Sequence, residues 1–395
     1  MILNEQQELI VISAVDFFHN KSTAQQVFEF TGGPGTGKSV VLGEIIRRIG
    51  INIQDIAAMA YTGQASIVMR LKGLINARTI HSWLYEAIEV PLMKDGKVVR
   101  DKIHNAVITT IKYVPIDLPA NIKLIVIDEG YTVPYEMRET LLSKGVKIIV
   151  AGDKDQTPPI GGRAAFLEGN NVPRLTQIMR QKEGSYIIHC AQMVLNDMSL
   201  AEGIYGNDVL VVNKRDITPE MFLNADVCLC SKNATREKLN NWYRQCLGYS
   251  GKLPQFGEKV ICRANNRFVS SNDITLANGL RGTVTNYPDV SSVTKEGTFF
   301  MSFLPDMIYA PFNGLETNID YFWMSTQDKK NFELTKFLKG ERFEFGYAIT
   351  THVSQGGQWS HGIVMEERLP FGIDNNKLLY TAITRFSDMV VIVKE

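Results

Sequence analysis

Residues Val27 to Ile46 read VFEFTGGPGTGKSVVLGEII. An apolar β-type run meets a glycine-rich turn, and a helical pattern follows. Gly32 to Ser39 fits G-x-x-x-x-G-K-[ST], and a chance match in a chain this long is on the order of 1% at average residue frequencies. Its place between strand and helix is the context such a loop requires. Glycines let backbone N–H groups converge on phosphate oxygens at a helix N-terminus that favours anions. Lys38 is placed to reach terminal phosphates and Ser39 to ligate magnesium. A merely structural glycine turn is a poor competitor.

Downstream, LIVIDEG sends Asp128 and Glu129 off the carboxyl end of a buried strand, beside the phosphate loop. Asp128 suits the magnesium shell, and Glu129 suits orienting and deprotonating an attacking water. Alone, an apolar strand ending in two acids is a weak signal, but after a phosphate loop it is a strong one. IIVAGDKDQTPPI then offers Gln156, from an adjacent strand, as a γ-phosphate sensor. A switch GTPase or a small-molecule kinase shares all of these features.

The wider chain has 395 residues, enough for two or three domains, with 45% hydrophobic and 21% charged residues. Lys+Arg and Asp+Glu are both 42, which excludes a polycationic coat protein but not a local nucleic-acid cleft. No apolar run approaches a membrane span and no secretory pattern opens the chain, so a soluble, cytoplasmic protein is expected. The five cysteines include C-x-C in ADVCLCS; the spacing suits reduced core thiols rather than zinc. Apolar strands alternate with helical patterns, first in QVFEFTG, DIAAMAY, KLIVIDEG and VKIIVAGD, then in ADVCLCSKN, FGYAITTH, HGIVMEE and MVVIVKE. That alternation predicts an α/β fold with parallel sheets covered on both faces. Residues 86–117, with a hairpin signal at Asp95-Gly96, and the aromatic, irregular residues 285–343 read as insertions.

Arg180 closes RLTQIMRQ at the boundary of the halves, and Arg385 precedes the last strand in LLYTAITRF. Singly, each arginine is more often a surface charge. Together, on different domains, they are placed to close on one ATP and stabilise the transferring phosphoryl group. A nucleotide cleft that opens and closes in this way is a motor.

With those motifs in order, the chain resembles a superfamily 1 helicase of the RecD/Dda-like 5′-to-3′ branch. LNEQQ, TGGPGTGKS, AYTGQAS, TIHSWL, VIDEG, GDKDQTPP and LTQIMRQ match the first half of that pattern. CSKNATREKLN, ANGLRGTV, YAITTHVSQGGQ and LYTAITR match the second. The resemblance implies two RecA-like parallel-sheet domains, the first from 1–85 and 118–180, the second from 181–284 and 344–395. It makes 86–117 a small wedge insertion and 285–343 an SH3-like β insertion. The function implied is ATP-dependent unwinding of duplex DNA by translocation on one strand, with ATP and Mg2+ as cofactors.

The same resemblance assigns roles to matching residues. Gln7 would read adenine. Gly32, Gly33, Pro34, Gly35, Thr36, Gly37, Lys38, Ser39, Gln156, Arg180, Gly356 and Arg385 would bind ATP, with Ser39 and Asp128 on magnesium. Lys38, Asp128, Glu129, Gln156, Arg180 and Arg385 form the catalytic set. Thr62, Gly63, Thr79, His81, Asn233, Thr350, His352 and Gln355 would contact the DNA strand, mainly through its phosphates. Trp83, Trp242, Phe268 and Trp359 lie near these motifs and are stacking candidates, although core packing is the commoner fate of each.

The chain departs from the family at Gly130, Thr157, Val353 and Phe386, and has no aromatic residue between Glu86 and Lys112. Expected partners are single-stranded DNA and fork junctions, with a single-stranded-DNA-binding or replisome protein also open. A monomer in a bacterial or phage-infected cell is the default. An RNA helicase and a non-motor ATPase clamp are the competing readings. No extra carboxylate cluster suggests a nuclease, and replication, recombination and repair all stay open.

Overall fold

The computed structural model describes residues 3–94, 96–100, 107, 109–159, 161–179, 185–272, 274–333, 339–370 and 373–394. Arg180 and Asp95, singled out above, lie outside these residues.

The continuous apolar runs of the first half form a six-stranded, all-parallel sheet. Its order is Arg174–Leu175, Val27–Gly32, Lys147–Gly152, Leu124–Ile127, Ile56–Ala60 and Arg78–Thr79. Every residue of Leu124–Ile127 and Ile56–Ala60 is buried, as a strand covered on both faces requires. Helices Glu5–His19 and Lys38–Ile49 contribute Ile10, Val11, Val41 and Ile45 to the core on one face. Trp83, Leu84, Leu141 and Phe166 close the other. The order refines one expectation. The strand leading to Gln156 lies directly beside the phosphate-loop strand, and the strand leading to Asp128 is one further out.

The second half repeats this construction with Gly203–Tyr205, Val209–Asn213, Phe386–Lys394, Trp359–Met365, Val227–Cys230 and Ala348–Thr350. All neighbours are parallel except the first pair, which is antiparallel. Two parallel-sheet domains of the RecA-like type are therefore present.

Tyr85–Pro91 and Thr109–Pro115 pair antiparallel over seven positions and project from the first domain. A five-stranded antiparallel sheet is attached to the second: Phe312–Asn318, Thr298–Pro305, Arg281–Val284, Lys259–Cys262 and Phe343–Phe345. It starts at Lys259, well before the 285 boundary expected from sequence. Its first strands, KVIC and RGTV, are only four residues long, too short to display the pattern of a new sheet. Its Phe299, Phe303 and Phe343 share one hydrophobic core with Cys228, Tyr243 and Ile363 of the second domain. That continuity explains why no linker composition marks the junction.

Candidate nucleotide cleft and strand groove

The phosphate loop turns on Gly35 (φ 73°) and Gly37 (φ 86°), a left-handed backbone that glycine adopts without Cβ strain. Gly37 caps the helix Lys38–Ile49 without any side-chain hydrogen bond, which leaves the first-turn N–H groups directed at the loop. Lys38 Nζ donates to Gly32 O at 2.8 Å and Gly33 O at 3.0 Å, within the same loop. Ser39 Oγ accepts from Lys72 Nζ at 2.8 Å, a neighbour that no local pattern announces.

Gln7 Oε1 accepts from Asn4 N at 3.1 Å in a capping box, and Gln7 Nε2 donates to Thr36 O at 3.1 Å. Its amide therefore ties the first helix to the phosphate loop. A Cβ at Gly37 would fall 2.5 Å from that amide nitrogen. Met179 N donates to Gly35 O at 2.8 Å, so the residue preceding Arg180 lies on the loop.

Asp128 is buried, and its Oδ1 accepts from Glu129 N at 2.9 Å. Glu129 has φ 53°, a conformation that costs a non-glycine residue roughly 1–3 kcal/mol. Strain of this kind persists where the surrounding structure fixes a side chain for use. A Cβ at Gly130 would meet Val150 Cγ1 at 2.2 Å, so the familial departure at this position has a steric cause in the neighbouring strand. Gln156 is 2% exposed, and its Oε1 has no hydrogen-bond partner among the described residues. Leaving such a group unpaired costs about 1–3 kcal/mol. An uncapped helix start, converging backbone donors, Lys38, Asp128 and the unpaired Gln156 amide together fit a magnesium–nucleotide.

The helix Asn375–Ile383 of the second domain faces this loop. Tyr380 OH donates to Asp153 Oδ2 at 2.9 Å, and Lys377 Nζ donates to Lys154 O at 2.9 Å and to Tyr131 OH at 3.1 Å. Burial raises the Asp153 carboxyl above its ordinary range, against the nearby Lys38 ammonium. Thr157 N donates to Thr381 Oγ1 at 2.9 Å, while Gln355 Nε2 donates to Thr157 Oγ1 at 2.9 Å. A leucine at 157 would make no such side-chain bond. A cavity of about 540 Å3 opens between the two sides, lined by Gly33, Thr36, Arg174, Thr176, Lys377 and Tyr380 among others. Arg385 is buried, with Nε donating to Thr381 O at 3.2 Å and Nη1 to Gly357 O at 3.5 Å. Gly356, expected at the nucleotide, instead packs on Ala65: a Cβ there would fall 3.0 Å from Ala65 N.

A second groove of about 710 Å3 runs across both domains. It is lined by Thr62, Gly63, Thr79 and His81 from the first and by His352, Val353 and Gln355 from the second. Asn233 and Thr350 are not among its lining residues. Thr350 is buried. Ser231 N and Lys232 N, which lead into the Asn233 helix, donate to the Glu367 carboxylate at 2.6 and 2.9 Å. Desolvation lowers both His81 and His352 below their ordinary 6.5, so at neutral pH both imidazoles are uncharged.

Of the expected stacking residues, Trp83 is buried with Nε1 on Ala58 O at 2.9 Å, Trp242 packs edge-on against Phe222, and Trp359 packs against Phe386. Phe268 is 87% exposed, on the strand Asn266–Ser271. The groove's aromatic residues are instead Tyr61, Tyr85 and Tyr113, with His81 5.9 Å from the rings of the first two. Tyr85 and Tyr113 flank the stretch that sequence reading found bare of aromatics. Four cysteines are buried as expected, but Cys246 is exposed at the end of its helix. No described helix is long and apolar enough to cross a membrane.

Residues 4–206 match the family model described as AAA domain. The ATP-dependent DNA helicase Pif1 of Psychrobacter sp. (strain PRwf-1) is 27% identical over 148 residues. That alignment spans 36% of this chain and only 21% of the relative. Among solved structures, two coordinating Pif1 helicases at forked double-stranded DNA give a TM-score of 0.61 at 20% identity, covering 99% of this chain and 92% of theirs. Bacteroides Pif1 bound to single-stranded DNA gives 0.60 at 17% identity over the same shares. Candida albicans Pif1 gives 0.58 at 15%, covering 100% of this chain and 94% of its own. At these identities the structures establish a shared fold.

Proposed function

The chain belongs to the AAA-domain family, and from that premise we propose that it is an ATP-dependent DNA helicase of superfamily 1B. The observation that carries the reading is the juxtaposition of two clefts across one domain interface. Thr157 lies beside Gln156 at the nucleotide side, and it bonds both Gln355 of the strand groove and Thr381 of the Arg385 helix. In this reading, occupancy of either cleft bears on the other through Thr157, whose backbone N–H bonds Thr381 and whose hydroxyl bonds Gln355.

In this reading Lys38 leaves its loop carbonyls for the terminal phosphates, while Ser39 and Asp128 would hold a magnesium ion, which would supply charge neutralisation at the phosphate oxygens. Glu129 takes the proton of the attacking water, and Gln156 orients at the γ-phosphate. Arg180 and Arg385 stabilise the developing charge, so that binding favours a closed interface and hydrolysis releases it. Thr62, Thr79, His81, His352 and Gln355 hold the strand by neutral hydrogen bonds, and Tyr61, Tyr85 and Tyr113 offer faces for bases. The relatives' descriptions favour DNA over RNA, the family resemblance favours 5′-to-3′ movement, and a composite site completed by residues of one chain favours a monomer.

The test is unwinding of duplexes carrying a 5′ or a 3′ single-stranded tail of DNA or RNA, with ATP and magnesium. Separation of the 5′-DNA-tailed duplex, lost on magnesium removal, is the expected result. Separation only with RNA tails reassigns the substrate, and no separation of any duplex contradicts the motor.

A further inference from the structure

A third cavity, of about 560 Å3, adjoins the strand groove. Gln64 supplies its wall from the first domain, Arg281 and Asp306 from the antiparallel sheet, and Tyr249 and Trp359 from the second domain. Gln64 also lines the groove, so the two spaces meet at one side chain. That side chain is 5% exposed, and among the described residues its Oε1 has no hydrogen-bond partner and its Nε2 reaches only the Met307 sulfur, at 3.9 Å. A buried amide left in this condition is costly unless a ligand or an internal water completes it.

The surroundings say which ligand would fit. A Cβ on Gly357 would fall 2.6 Å from Gln64 Nε2 and 2.5 Å from the Trp359 ring. The bare glycine thus lets an amide and an indole edge approach each other across it. The cations here are already matched. Arg281 and Lys259 both pair with Asp306, Arg281 also donates to the carbonyl oxygens of Gly346 and Asp226, and Asp226, a second acid, lines the same cavity, so two acids stand against two bases. A site whose charges cancel suits a neutral, planar, hydrogen-bonding group better than a phosphate. Aromatic side chains on one wall, an unpaired amide on another and continuity with the groove match a nucleobase.

Resting on the helicase reading, we propose that this cavity receives one base of the strand lying in the groove, with Gln64 bonding its polar edge. The backbone keeps to the groove while the base turns past Gln64. Gly357 O accepts from Arg385 Nη1, so the segment that shapes the cavity also holds the nucleotide-side arginine.

The test uses the full chain and a strand of about eight nucleotides, within the span one such groove covers. A single abasic site is moved along it, and affinity is read by fluorescence anisotropy. Wild type should show one position where loss of the base weakens binding about tenfold, in line with the worth of a held base. In Gln64→Met, which keeps length but loses the polar edge, that penalty should vanish while the others persist. Leu223→Trp, which enlarges a side chain lining the cavity, should do the same. Uniform penalties along the wild-type strand, or a site-specific penalty unchanged in both variants, would overturn the proposal while leaving the helicase reading intact. They would mean that water completes Gln64. Failure of wild type to bind any strand would overturn both.

Discussion

Single residues at the nucleotide cleft carry the sharpest consequences. Lys38→Ala removes the ammonium that the loop holds beside the phosphates, and ATP turnover should fall by roughly a hundredfold or more. Glu129→Gln keeps the φ 53° backbone but no proton acceptor. Nucleotide binding should persist while turnover drops by about 10²–10⁴-fold, as filter binding and steady-state phosphate release would separate. Equal loss of both would place Glu129 in folding instead. Gly130→Ala drives a methyl into Val150 and should cost about 1–3 kcal/mol by denaturant midpoint, recovered in part by adding Val150→Ala. His352 is half-buried and His81 exposed, and partial desolvation holds both below 6.5 in the folded chain. The unfolded chain therefore takes up protons first as pH falls through 6.5, and stability should decline there. The double His→Gln variant should flatten that decline, and an identical slope would contradict the assignment. At this scale the phosphate loop, Asp128, Glu129 and Gln156 were legible because fixed spacing carries their geometry. Lys72, Lys377 and Tyr380 were not legible, since only tertiary approach brings them to Ser39, Lys154 and Asp153.

Elements were legible where one residue pattern implied one environment. Leu124–Ile127 and Lys147–Gly152 announced parallel strands because both faces are covered. The antiparallel sheet was misplaced at its start because its first strands are too short to show alternation, and its core is shared with the parallel domain. The wedge hairpin carries no aromatic between Glu86 and Lys112, but Tyr85 and Tyr113 stand at its foot and line the groove. Tyr113, 58% exposed there, offers a stacking face. Tyr113→Ala should weaken single-stranded DNA binding about tenfold with little change in denaturant midpoint. A variant that loses stability but keeps its affinity would make the tyrosine structural.

The molecule as a whole places four of its five thiols inside. Burial raises Cys190 to about 11 and Cys230 and Cys262 to about 12, with Cys228 also well above its ordinary value. A native-state thiol titration should therefore count one fast-reacting group, Cys246, and Cys246→Ser should abolish it. The larger property proposed, the coupling of two clefts through one interface, is encoded by no local pattern because Thr157, Gln355 and Thr381 meet only after both domains fold. The most direct test is ATP turnover measured against single-stranded DNA concentration in wild type and in Arg385→Ala. Strong stimulation by the strand in wild type, reduced by roughly a thousandfold in the variant with nucleotide binding retained, is what a shared interface predicts. Turnover indifferent to every nucleic acid, or unaltered by loss of Arg385, would contradict it.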